Sequence, residues 1–281
     1  MSEAPTPRPS GNPVAQSLQR MGTIAWTTTR EALRNRVLFV LVAFAVGLMA
    51  FSVVLGQLSL HEETRVMKDL GLAGISLVSL IIALFLGVNL LSKELDKKTV
   101  YAILPKPIHR WEFLLGKYGG LALTMTLLVT AMSAVLAIFV LGIGGHLGVV
   151  MIRAEVLILF ELLLVVAVAT FFSSFSSPYL SAMFAGALWI IGRNSPTLES
   201  FAMGEAAADT VGPFLLAVTR VLPDFHKFYV SGANLGGEGI VSVHETFVSW
   251  GYVATAGAYC LLYSAALLTV AAVLFSRRDL T

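Results

Sequence analysis

Two carboxylates sit where a carboxylate is hard to keep. Glu155 and Glu161 fall in one apolar run, Glu155 to Phe172. An ionisable group at membrane depth marks a pathway, a proton relay or an interhelical contact. Glu155 stands two residues from Arg153 and reads as a boundary residue screened by that neighbour. Glu161 is six residues further along, about 9 Å on a helix. It reads either as a pathway or dimer-contact residue or as a buried structural partner. His61, His146, His226 and His244, with Met151 and Met203, carry groups that bind soft metals. They are scattered over three loops without a short ligand spacing, so no metal site is assigned. His244-Glu245 is followed by Val248 rather than a second histidine, and no G-x-S-x-G occurs, so neither hydrolytic motif is present. Gly116-Lys117 has Trp111 where a phosphate-binding loop needs its first glycine and Tyr118 where it needs Ser or Thr. The chain therefore reads as non-catalytic, with no cofactor.

The elements that hold these residues follow from composition. Of 281 residues, 57% are hydrophobic and 13% charged, against about 25% charged in a soluble domain. A soluble enzyme, a disordered chain and a single-pass receptor are excluded, and a net charge of +2 gives no reason to expect nucleic acid. The single cysteine, Cys260, can form no intrachain disulfide. Residues 1–13 read as a disordered tail. Uncharged runs then give six spans, at about 37–58, 70–91, 118–143, 155–172, 178–192 and 250–275. Val211 to Leu222 is too short to cross and reads as re-entrant or interfacial. Within residues 193–249, a cap is expected on the outer face. Most of the 19 Lys and Arg lie before span one, between spans two and three, or in the tail. An even span count places all three segments in the cytoplasm, in the plasma membrane of what is expected to be a bacterial cell. Trp189, Trp250 and Tyr252 are then expected near the outer interface.

Two segments outside the spans carry pattern. Val14 to Arg36 has apolar residues at helical spacing opposite Gln19, Thr23, Thr27, Arg30 and Arg34, as in a helix lying at a membrane surface. The stretch from Ser92 to Gly120, SKELDKKTVYAILPKPIHRWEFLLGKYGG, reads as a short helix, a break at Pro105 and Pro107, and the start of a new helix. Leu95, Val100, Ile103 and Leu104 form an apolar stripe among charges, which suits docking of a cytoplasmic partner or an ordinary charged loop. Lys117 is expected to snorkel to the inner surface. Gly116 and Gly120 form G-x-x-x-G, which permits close helix approach.

In order, Glu94, Thr99, Val100, Leu104, Pro107, Arg110, Glu112, Gly116 and Lys117 resemble the pattern of ABC-2 type ATP-binding-cassette permease subunits. The likeness is nearest to the branch of the nitrous oxide reductase maturation and gliding-motility permeases. Arg30 to Arg36, Phe172 to Pro178 and Leu222-Pro223 extend it, while Lys98 and His109 depart from it. The resemblance implies an all-α, six-span permease with an N-terminal elbow helix (14–36), a coupling helix in the cytoplasmic loop 92–117, and an outer cap. It implies docking of a separate ABC ATPase, in two copies, through Glu94, Thr99, Leu104, Arg110 and Glu112. A second permease copy would complete an exporter working among membrane lipids. An ion-coupled secondary transporter and a non-transporting membrane scaffold are the alternatives. The first would be expected to show repeated halves and ion-binding residues at mid-membrane.

Overall fold

The structure is a computed structural model, and the residues described are 13–57, 63–96, 109–204, 211–229 and 249–277. Among them the chain is helical throughout: α1 (Pro13–Leu33), α2 (Arg36–Gln57), α3 (Glu63–Asp96), α4 (Arg110–Gly142), α5 (Val149–Ser173), α6 (Pro178–Arg193), α7 (Ser195–Ala202), α8 (Gly212–Val221) and α9 (Trp250–Arg277), with a 3-10 turn at Phe225–Phe228. Five of these helices, α2, α3, α4, α5 and α9, are long and apolar enough to cross a membrane.

Enclosure separates the centre from the rim. α5 is apolar on all sides, and Leu164 to Thr170 are buried without a break, as a helix surrounded by others requires. α3 packs on α5 and α4, and α2 packs on α3 through a narrow stripe of Leu38, Ala45, Met49 and Ser52. The opposite side of α2 exposes Phe39, Val40, Phe44, Phe51 and Val54. In water that surface would be a liability, whereas hydrocarbon is its natural solvent.

α5 and α9 are neighbours running in the same direction. Near their starts the Arg153 guanidinium lies 5.1 Å from the Trp250 ring centre. Further along, the Cys260 thiol donates to the Phe160 carbonyl at 3.2 Å. Phe171 and Ala271 share a cluster near their ends. The chain leaving Ser173 must therefore recross the bundle before Trp250. We call the end of the bundle that carries α1 the near end and the opposite one the far end.

The expected fifth span, 178–192, is a helix of 16 residues, Pro178–Arg193, or about 24 Å. That falls short of the roughly 17 to 25 residues of a full crossing. Among the described residues, five helices are of full crossing length and the expected fifth span is a short one. Beyond α6 the chain does not run straight on to the far end. It turns into α7 and, after residues 205–210, into α8 and the 3-10 turn, which pack beside the upper part of α9.

Three tyrosines of α9 record how far along that helix this segment reaches. The Tyr252 hydroxyl donates to the Lys227 carbonyl (2.7 Å), Tyr259 accepts from the Asp224 N–H (2.9 Å), and Tyr263 donates to the Val221 carbonyl (2.8 Å). Tyr263 is thirteen residues into α9, about 20 Å from its start. Val221 therefore lies half-way along that helix. In this part the expected cap lies along the side of α9, with Phe225 and Phe228 buried while Phe214 and Val221 are exposed.

Candidate functional site

Polar residues gather at two levels. The first is the near-end turn of α4. This helix begins at Arg110, eight residues before the expected span, and its 33 residues make a rod of about 50 Å. His109 precedes it in extended geometry, and Glu112 reaches back to the His109 N–H at 3.4 Å. A carboxylate there also complements the positive end of the helix dipole. The other Glu112 oxygen accepts from the Ser17 hydroxyl at 2.6 Å, and Arg20 approaches to 3.8 Å. Ser17 and Arg20 are one turn apart on α1, so both reach the same acid. Glu112 is 0% exposed.

α1 continues along α4 over the G-x-x-x-G pair. A Cβ on Gly116 would stand 2.9 Å from the Ile24 Cβ, and one on Gly120 would stand 2.5 Å from the Ala25 carbonyl oxygen. The Thr29 hydroxyl donates to the Gly120 carbonyl at 3.0 Å. Only glycine lets the two backbones come so close. Lys117 does not snorkel. It is 4% exposed, lies 4.0 Å from Glu31 of α1 and sits 5.8 Å from the Phe113 ring centre, because α1 covers the surface it would otherwise have reached. α1 still presents Leu18 and Trp26 outward, beside Gln19, Thr23 and Arg30.

Arg110 ties the same turn to a third helix. Its guanidinium donates to the carbonyls of Phe275 and Ser276, each at 3.2 Å, satisfying groups that the last turn of α9 leaves open. The Phe113 and Phe275 rings stack 6.5 Å apart. Arg110 and Glu112 thus share one turn and grip different helices, α9 and α1. Glu94 lies near the end of α3, whose helix continues to Asp96. Thr99 and Leu104 lie outside the described residues.

The second level is the middle of the bundle. Glu161 is twelve residues from either end of α5, about 18 Å, and is 2% exposed. It accepts from the Trp189 indole N–H at 2.8 Å and pairs with the Arg193 guanidinium. Trp189 and Arg193 are one turn apart at the end of the short α6. Trp189 therefore stands at mid-bundle rather than at the expected outer interface. Arg193 also faces the Tyr229 ring, 4.2 Å from its centre. Next to it, Asp224 accepts from the Ser195 hydroxyl at 2.7 Å and from the His226 N–H at 3.1 Å. Lys227 lies 3.8 Å from Asp224 and 4.4 Å from the Tyr259 ring centre. The turn at Pro223 presses so closely on Gly192 that a Cβ there would overlap the Pro223 carbonyl.

Glu161 is thus an interhelical residue holding α5 to α6. Its partners lie 28 and 32 residues away, and only their i, i+4 spacing, Trp189 to Arg193, could have signalled them. Ser17 and Arg20 had no sequence signal pointing to Glu112. Of the histidines, His146 is exposed, His226 lies against the Arg193 carbonyl at 3.4 Å, and His61 and His244 lie outside the described residues. Among the described residues no three His, Cys, Asp or Glu side chains converge on a possible metal position.

Among the described residues this arrangement gives a helix start tied to two neighbours at one end and a polar knot in the middle. No curated protein matches the sequence. The family model described as ABC-2 family transporter protein matches residues 22–280, which takes in every described helix except the first half of α1. The chain belongs to that family and is a transmembrane component of a transporter.

Proposed function

We propose that the chain is the permease subunit of an ATP-driven exporter, paired with a second permease copy and two copies of a separate ABC ATPase. The near end faces the cytoplasm, because Arg20, Arg30, Arg34, Arg36 and Arg110 all belong to it and cations gather on that side. The fifth of the six crossings begins with α6, which carries the chain to mid-depth. α1 is the elbow helix, braced on α4, with Trp26 and Leu18 turned toward lipid. The motif between spans two and three resembles that of the branch of nitrous oxide reductase maturation and gliding-motility permeases.

The observation that carries this reading is the brace at the first turn of α4. The ATPase docks on the segment joining α3 to α4, through Glu94, Thr99 and Leu104, with Arg110 and Glu112 at its border. Arg110 and Glu112 bind α9 and α1, so a displacement delivered to that segment moves α1, α4 and α9 together instead of bending a loop. Such rigid-body movement is how a bundle switches between inward- and outward-open arrangements. Pairing of Glu161 with Arg193 inside the bundle argues against Glu161 as the ion site of a secondary transporter.

The test is co-purification. Glu94→Lys combined with Leu104→Asp alters the docking segment without touching the brace. An ABC ATPase should co-purify with the wild-type chain in detergent and be lost from the double variant. Unchanged co-purification would overturn the docking assignment, and absence of any ATPase from the wild-type preparation would overturn the coupled-exporter reading.

A further inference from the structure

A second carboxylate has no place in either polar level. Glu155 lies in the far-end half of α5, and it lines a cleft of about 460 Å³ between α4 and α5. The walls are apolar, chiefly Val129, Ala134, Ala137, Ile152 and Leu159. Arg153, its neighbour in sequence, turns instead to the Trp250 ring. Among the described residues no cation pairs with Glu155. Ser133, on the same wall, is 7% exposed, and its hydroxyl lies beside the Glu155 carboxyl. The Thr130 hydroxyl is already committed to the Thr126 carbonyl at 2.7 Å.

A cleft of this size with apolar walls and a few converging polar groups has the make-up of a small-molecule site. Its chemistry selects the ligand. The one formal charge is negative, the Ser133 hydroxyl beside it is buried, and the rest of the wall is almost entirely apolar. An anion would be repelled, and a neutral apolar molecule would leave the acid without a counter-ion. We propose that the cleft between α4 and α5 binds a lipophilic organic cation, with Glu155 as counter-ion and Ser133 as a hydrogen-bonding group beside it. The walls take the apolar body, and a cation in this low-dielectric setting meets a carboxylate far less screened than one in water. The site lies apart from the Glu161 knot and from the near-end brace, so it needs neither ATP nor a docked ATPase.

Tetraphenylphosphonium and tetraphenylborate test this directly, because they share size and apolar surface and differ in the sign of charge. Equilibrium dialysis would compare phosphatidylcholine nanodiscs holding the full chain with empty discs. Tetraphenylphosphonium should be retained beyond the empty-disc level, and tetraphenylborate should not. Glu155→Gln should weaken tetraphenylphosphonium binding at least tenfold, and Ala134→Trp, which fills the cleft and keeps the charge, should abolish it. Monodisperse elution and an unchanged melting temperature would show that each variant is folded. Equal retention of the two ions would overturn the proposal, as would full binding by either folded variant. None of these outcomes bears on ATPase docking, which is read by co-purification.

Discussion

Glu112 and Glu161 are both buried carboxylates facing an arginine, and they hold the molecule together in different ways. Glu112 sits at a helix start at the near end. It has two hydrogen-bond donors, and its cation, Arg20, stands off at 3.8 Å with a side chain 35% exposed. Glu161 sits at mid-bundle with two donors, both from one short helix, and Arg193 is the only cation paired with it among the described residues. At the near end the ionic partner is an addition to a capped, hydrogen-bonded acid. At mid-bundle the ionic partner is what makes the acid tolerable there at all. The cost of losing the arginine should therefore differ sharply between the two places.

Replacing Arg193 by Leu is the severest way to probe that difference. It leaves Glu161 charged and enclosed, and breaking a buried pair from one side costs about 3–5 kcal/mol. Thermal unfolding in detergent should show a large drop, with part of it restored when Glu161→Gln is added. Arg20→Leu, the matching change at the near end, should cost about 1 kcal/mol or less, as exposed pairs do. Equal losses at the two sites would break the comparison.

Glu112→Ala comes next. It strips an acceptor from Ser17, from the His109 N–H and from Arg20 at once, and an unsatisfied buried group costs about 1–3 kcal/mol. The loss should be local. Limited proteolysis should release α1 first, while the α5–α6 contact, followed by Trp189 fluorescence, stays intact. Loss of both together would mean that the two levels are a single cooperative unit.

Much of this was readable from sequence, for physical reasons. Uncharged runs mark spans because hydrocarbon tolerates few charges. Glu161 stood out because it interrupts such a run. What sequence could not supply was the partner. Arg193 ends an apolar run and so looks like a boundary residue, and Trp189 beside it looks like an interface anchor. Both readings assume that a helix end lies at a membrane surface. α6 ends half-way along α5 instead, so the same two residues are interior. No sequence signal marked Tyr259 and Tyr263, which with Tyr252 bind backbone groups of residues 221–227. The G-x-x-x-G of α4 was legible as a close-approach site, but its occupant, a helix 91 residues earlier, was not. Glu94 could be placed on α3, and Thr99 and Leu104 remain assigned by resemblance.

Tyr263→Phe sharpens the mid-bundle side of the comparison at smaller scale. It deletes one hydroxyl and keeps the ring, so the Val221 carbonyl loses its donor half-way along α9. A net loss of about 1 kcal/mol is expected. Faster hydrogen exchange should be confined to residues 221–229 and leave α1 untouched.

Arg110→Gln carries the smallest expected effect on stability and the most specific one on function. The guanidinium is at the surface of the near end, and its two bonds cap the last turn of α9, an interaction of about 0.3–1 kcal/mol in exposed settings. Folding should barely change. Under the proposed mechanism, however, those bonds are the path by which movement at the docking segment reaches α9. The variant should still co-purify with the ATPase and still bind and hydrolyse ATP, while the separation between labels on α4 and α9 should respond less to nucleotide than in the wild type. Double electron–electron resonance between spin labels at Leu115 and Val273, both exposed, would read this. A nucleotide response equal to the wild type's would show that the stacked Phe113–Phe275 pair carries the coupling without Arg110. The near-end brace would then be two independent contacts rather than one lever.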